Sequence, residues 1–181
     1  MTTLLTKNGC WQIFGRMQKE KNTRTNSQSR LHAQLESASA PAIADTLRIR
    51  IGDLEFSARW ELTAAPRTCH LFRQLLPLRK KMIHCSWSGE GVWVPLGSWD
   101  AAWCAENQTS RPEPGQLLLY ASGPSEPELL VPCGACIFNS RFGVLTGNHF
   151  LSIVEGNEKL LDLHHLLLWK GAQDCFIDQL H

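Results

Sequence analysis

No apolar run in this chain approaches the ~20 residues that a bilayer-spanning helix needs, so no membrane partner is expected. Gly-x-Ser-x-Gly, P-loop and dinucleotide-binding fingerprints are all missing, which removes the commonest hydrolase, nucleotide-phosphate and hydride-transfer signatures. Charge of one sign is not in excess either. The 18 Lys and Arg against 17 Asp and Glu give a formal net charge of +1, too little to attract a polyanion, so no nucleic-acid partner is expected. No internal repeat or coiled-coil heptad occurs. The opening, "MTTLLTKNGCWQIFGRM", has no charged segment followed by an apolar one, so no secretory signal is expected in it. The seven cysteines are odd in number and irregularly spaced. They read as reduced, mostly buried thiols of a cytoplasmic protein rather than as a disulfide framework.

What is present describes one globular domain with an extension. Hydrophobic residues make up 43% and charged residues 19% of the 181, enough for a sizeable core. The character changes near residue 45. "KEKNTRTNSQSRLHAQLESASAPAIA" is polar and almost free of large apolar side chains, so it buries too little to offset its ordering entropy. Residues 1–45 are therefore expected to be a disordered extension and 46–181 the folded domain. Six basic residues against two acidic ones in 1–44 suit a transit peptide or basic arm. A dispensable tail, or a start at Met17, explains them more simply.

From Thr46 onward the patterning is strong. "TLRIRIGDLEFSARWEL" alternates. Pairing Ile51 with Leu54, Ile49 with Phe56 and Leu47 with Ala58 around Gly52-Asp53 puts every apolar side chain on one side of a hairpin. Pro66 suits a first helical turn, Cys69, Phe72 and Leu76 recur at helical spacing, and Pro77 ends the helix. "KMIHCSW" and "VWVPL" read as strands joined at "SGEG", "QLLLYA" and "ELLVP" as another hairpin, and "FLSIV" and "CFI" as further strands. "NEKLLDLHHLLLWKG" reads as a helix capped by Asn157 with Gly171 past its end. Short, closely spaced strands with two helices point to a small β-barrel with helices closing it.

Several stretches carry a family resemblance. "LEFSARWELTAAPRTCHLFRQLL" resembles the opening of the cyclophilin fold, and "HFLSIVEGNEKLLDL" its ending. More closely, "IHCSWSGEGVWVPLG", "GQLLLYASGPSE" and "GNHFLSIVEG" resemble the bacterial cyclophilin-like family known as domain of unknown function 3830, over about residues 46–176. The resemblance implies a mainly β fold, a closed cyclophilin-like barrel capped by two α-helices, and it implies no activity. Prolyl isomerisation is not expected. Cyclophilins use an arginine after Phe-His and a Gln-Gly-Gly segment. Here Cys85 follows His84, and no Gln-Gly-Gly occurs. A thiol cannot replace the charged fork of a guanidinium.

The candidate site residues follow from residue chemistry. In "GNHF", Gly147 allows unusual backbone angles or close approach by a ligand, Asn148 offers a donor and an acceptor, and His149 is a residue type that can titrate near neutral pH. His149 is the candidate acid–base group or anchor and Asn148 the polar orienter, unless the two merely shape a turn and fill a structural niche. In "HCSWSGEGVWV", Trp87 and Trp93 are candidate ligand walls, with His84 and Glu90 accessory. Tryptophans this dense also suit a core or a homo-oligomer contact. Tyr120, the lone tyrosine, and Glu126 in the loop after it complete the candidate ligand-binding set. Cys133 and Cys136 form a C-x-x-C, but no second half-site completes a zinc ligand set and no helix follows to activate a thiolate. They read as strand and turn thiols. No metal and no cofactor is expected. The leading expectation is a small-molecule ligand, held by a binding protein or acted on by a modest acid–base enzyme. An oligomeric or partner-binding module is the alternative.

Overall fold

The computed structural model describes residues 46–99, 103–121 and 123–179. The extension expected over 1–45 lies outside them. The first hairpin forms in the register that alternation requires. β1 (Thr46–Ile51) and β2 (Leu54–Trp60) pair Ile51 with Leu54, Ile49 with Phe56 and Leu47 with Ala58. Gly52 turns between them at φ +56°, a value few side chains tolerate. The apolar members of both strands are buried except Leu54, which is half-buried beside the turn, and Arg48, Arg50 and Arg59 lie on the other face.

Helix α1 (Pro66–Arg73) begins at the proline and buries Thr68, Cys69 and Phe72. It stops short of Pro77. From Gln74 to Leu76 the amide bonds reach back only three residues, a tighter turn that leads into β3 (Leu78–His84). β3 ends at His84, three residues earlier than "KMIHCSW" suggests. Ser86–Ser88 form a 3₁₀ turn, and Gly89 at φ +94° starts β4 (Gly89–Pro95). Trp87 therefore sits on a turn and not on a strand face.

β5 (Gln108–Thr109), β6 (Gln116–Tyr120), β7 (Glu128–Cys136), β8 (Asn139–Ser140), β9 (Gly143–Val144) and β10 (Gly147–Glu155) follow. Helix α2 (Leu160–Lys170) and β11 (Gln173–Gln179) complete the described chain. Asn157 does not cap α2. It sits in a 3₁₀ turn, donating to Ile153 O at 3.2 Å, after Gly156 in the left-handed region. Gly171 follows α2 at φ 78°, as its position requires.

Eight strands close a ring in the order β2, β1, β11, β3, β4, β7, β6, β10, with β10 returning to β2 and every pairing antiparallel. The mainly β, cyclophilin-like barrel with two helices is thus the observed architecture. α1 packs on β10 through Phe72 and Phe150, ring centroids 4.8 Å apart, with Trp60 of β2 6.3 Å from each. α2 lies against β3, β4 and β7. A second buried cluster unites Cys85, Trp93, Leu118, Tyr120, Leu130, Phe138 and Leu145, and it floors the site described next.

Candidate functional site

Consecutive strand residues face opposite ways, and this sorts the candidates. Ile83 pairs with Trp93 and His84 with Val92, so His84 stands on the far face of the sheet from Trp93. There it meets α2: its ring centroid lies 4.7 Å from that of buried His164. Burial, followed by the His164 charge, holds its pKa below the usual histidine value. His84 lines neither cavity of this region and does not join the tryptophans.

Trp87 and Trp93 do come together. Their rings meet edge to face, centroids 5.9 Å apart at 71°. Trp93 is buried, whereas Trp87, lifted by its 3₁₀ turn, is 51% exposed. The two form one wall of a cavity of about 410 Å³ that also receives Pro124, Ser125, Glu126, Glu128, Arg141 and Phe142. Of the expected ligand-binding residues, Trp87, Trp93 and Glu126 share this cavity. Tyr120 lies beneath it, buried against Phe138, its hydroxyl accepting from Ser125 N at 3.5 Å. Glu90 is elsewhere. Its carboxylate accepts the Ala135 amide at 2.7 Å and bridges the bulge between β4 and β7.

Glu128 is the residue that sequence reasoning passes over. It opens β7 opposite Tyr120 and is only 5% exposed. Among the described residues its carboxyl makes no hydrogen bond and no salt bridge. Burial, with a smaller push from Glu126, raises its pKa to about 7. The other missed members are Arg141 and Phe142, on the turn between β8 and β9. The guanidinium stacks over the Phe142 ring, 4.6 Å from its centroid. The Trp93 indole N–H is likewise buried with no acceptor among the described residues. The available signal was alternation: Glu128 shares a strand face with Leu130, which belongs to the buried cluster under the cavity.

"GNHF" forms a different structure. Asn148 is fully buried, and its polar atoms are all engaged. Nδ2 donates to Thr68 Oγ1 and to Cys104 O, both at 2.8 Å, and Oδ1 accepts from Glu106 N at 3.1 Å. Glu106 in turn accepts from the Thr68 amide and hydroxyl, both at 2.9 Å, capping α1 from a distant loop. Burial pushes the Glu106 pKa up, but the Thr68 and Arg67 bonds outweigh it and hold the group below the usual carboxylate range. His149 also spends both ring nitrogens on the protein. Nδ1 faces Asn107 Nδ2 at 3.3 Å, and Nε2 faces Ser152 Oγ at 2.9 Å. Ser152 Oγ donates to Glu61 at 2.6 Å, so the His149 Nε2–H donates to Ser152. Burial lowers the His149 pKa, against a partial pull upward from Glu61. Asn148 and His149 therefore pin β10 to the loops before it and line neither cavity.

The C-x-x-C is structural in geometry. Cys133 is buried and Cys136 half-buried, and burial pushes their thiols up to about 12 and about 11, so neither is a thiolate at neutral pH. Gly134 between them leaves room for the Glu90 carboxylate, which a Cβ would strike. Cys136 lines a second, wider cavity of about 810 Å³ that Trp87 also borders, whose charged side chains among the described residues are Arg111 and Glu113. No group of three or more His, Cys, Asp or Glu among the described residues converges as a metal site. No described helix is long and apolar enough to cross a membrane.

A family model described as "Protein of unknown function (DUF3830)" matches residues 46–177. Two solved structures share the fold. "Structure of McbB in complex with tryptophan" is 14% identical with a TM-score of 0.51, over 74% of this chain and 44% of that one. The solution structure of the hypothetical protein AF2241 from Archaeoglobus fulgidus is 15% identical with a TM-score of 0.54, over 78% and 99% of the two chains. The chain thus spans less than half the length of McbB. Likeness at these identities shows the fold alone. No curated protein matches.

Proposed function

Since the chain belongs to the DUF3830 family of proteins of unknown function, which brings a fold and no activity, we propose from the site itself that it binds a small organic molecule in the Trp87–Trp93–Phe142 cavity. Glu128 is the polar anchor, and with a pKa of about 7 it is also the group that gives or takes a proton there. The same cavity thus suits a binding protein and a modest acid–base enzyme. The observation that carries this reading is Glu128 itself, a carboxyl 5% exposed at the floor of an aromatic cavity with no protein partner among the described residues. Such a group lowers the stability of the fold that keeps it, and a ligand accounts for its retention. His149 and Asn148 enter as supports of β10 rather than as the acid–base pair.

A thermal-shift panel of amines, amides, carboxylates and heterocycles tests this. A true ligand at 100 times its Kd stabilises the protein by about 2.7 kcal/mol. It should do so for the wild type and far less for Trp87→Ala. A ligand that stabilises both equally would place binding elsewhere.

A homo-oligomer is the second reading, and the outer face of α2 favours it. Trp169 is 80% exposed there, beside exposed Leu161 and Leu168. Light scattering on the wild type and on Trp169→Glu tests it: a larger species that Trp169→Glu dissociates supports the contact. A cytoplasmic location is proposed on the cysteines, since the six described ones are all unpaired. Prolyl isomerase activity is not proposed, because Cys85 is 1% exposed and carries no charge to offer an amide. A protease-coupled isomerisation assay should show no acceleration.

A further inference from the structure

The charges of the Glu128 cavity are not balanced among the described residues. Glu126, Glu128 and Arg141 line it with Trp87, Trp93 and Phe142. Arg141 is engaged over Phe142 and makes no salt bridge to either carboxylate. The deeper carboxyl, Glu128, receives neither a cation nor an N–H donor from the described residues. In the same walls the Trp93 indole N–H is buried with no acceptor among the described residues.

Three kinds of ligand meet these walls differently. An anion faces two carboxylates against one arginine that is already stacked. A neutral donor offers Glu128 a hydrogen bond but no opposite charge, so the buried carboxylate stays disfavoured. A cation supplies both. The aromatic faces of Trp87 and Phe142, each about half exposed, attract positive charge as well. Arg141 on Phe142 is an instance of that attraction within the same cavity.

We infer that this cavity takes an organic cation: a primary ammonium on a small aromatic or apolar body, its N–H groups on Glu128 and its body against Trp87 and Phe142. The inference rests on the reading of the cavity as the binding site. Binding has a proton balance. The ammonium keeps its three N–H bonds, the Glu128 carboxyl loses its O–H bond, and that proton leaves to solvent. Near and below the raised pKa of Glu128 the complex therefore releases up to one proton, and affinity rises with pH until the free carboxyl is already ionised.

The test is isothermal titration calorimetry with 2-phenylethylamine, 3-phenylpropionate and 2-phenylethanol, in two buffers of different ionisation enthalpy. The amine is expected to bind best and to release a proton below about pH 7. Glu128→Gln should weaken it about tenfold or more and abolish the release. The alcohol or the propionate binding as tightly as the amine, with Trp87→Ala weakening all three, overturns the ammonium class and leaves the cavity as the site. Amine binding indifferent to both Trp87→Ala and Glu128→Gln removes the site as well. Failure of the amine to bind overturns the ammonium class outright, and the thermal-shift panel then judges the cavity.

Discussion

The indole rings of Trp87 and Trp93 meet edge to face at 5.9 Å, yet one is half in solvent and the other is core. The pair should separate binding from stability. Trp93→Ala empties part of the buried cluster and is expected to cost about 3–5 kcal/mol. Trp87→Ala removes an exposed ring from a turn and is expected to cost about 1 kcal/mol or less, while lowering ligand affinity. Urea denaturation of the two variants checks the difference.

Glu128 sets a pH dependence whose sign is fixed. Its folded pKa of about 7 lies above the ordinary glutamate value of 4.5. As pH rises past that lower value, the unfolded chain releases a proton that the folded chain keeps, so stability falls until Glu128 itself ionises near 7. Glu128→Gln removes this loss. It should leave stability nearly unchanged at about pH 4 and raise it at about pH 8 by up to about 3 kcal/mol. Thermal unfolding of wild type and variant across that range measures it.

The Asn148 network predicts an order of effects. Asn148 ties Thr68, Cys104 and Glu106 together where no water reaches it. Asn148→Ala strands buried donors and acceptors and should cost on the order of 2–4 kcal/mol. His149, half-buried and bonded mainly to side chains, should cost less when changed to Ala. If His149→Ala instead leaves stability intact and abolishes ligand binding, the acid–base role returns to it.

Gly134→Ala should destabilise, because its Cβ meets the Glu90 carboxylate. The cost, on the order of 1–3 kcal/mol, should shrink in the Glu90→Ala background, where nothing fills that space. A double-mutant cycle in urea reads the coupling directly.

The barrel was legible because it depends on local alternation. Ile49 opposite Phe56 follows from two residues of turn and a period of two, and both lie close in the chain. The resemblance to the cyclophilin-like family added the closure, which pairs β2 with β10 across nearly a hundred residues. The site was legible only in part. The tryptophans stand out by type, but the 3₁₀ turn that lifts Trp87 off the strand is set by Gly89 and its contact with β7. His149 looked free because Asn107, Ser152 and Glu61 reach it only in the folded chain. Glu128 drew no notice because its burial comes from β4 and β6 on either side. The C-x-x-C stood out most and carries least, since Cys133 and Cys136 face packed surroundings that keep them protonated.

Whether Glu128 is the proton-bearing anchor of the cavity is read most directly by a pH titration of its side-chain carboxyl carbon by NMR, assigned by comparison with Glu128→Gln. A midpoint near 7 is expected in the free protein, shifted downward when 2-phenylethylamine is bound. A midpoint at the ordinary carboxylate value of about 4.3, with a resonance indifferent to every compound in the panel, would contradict it.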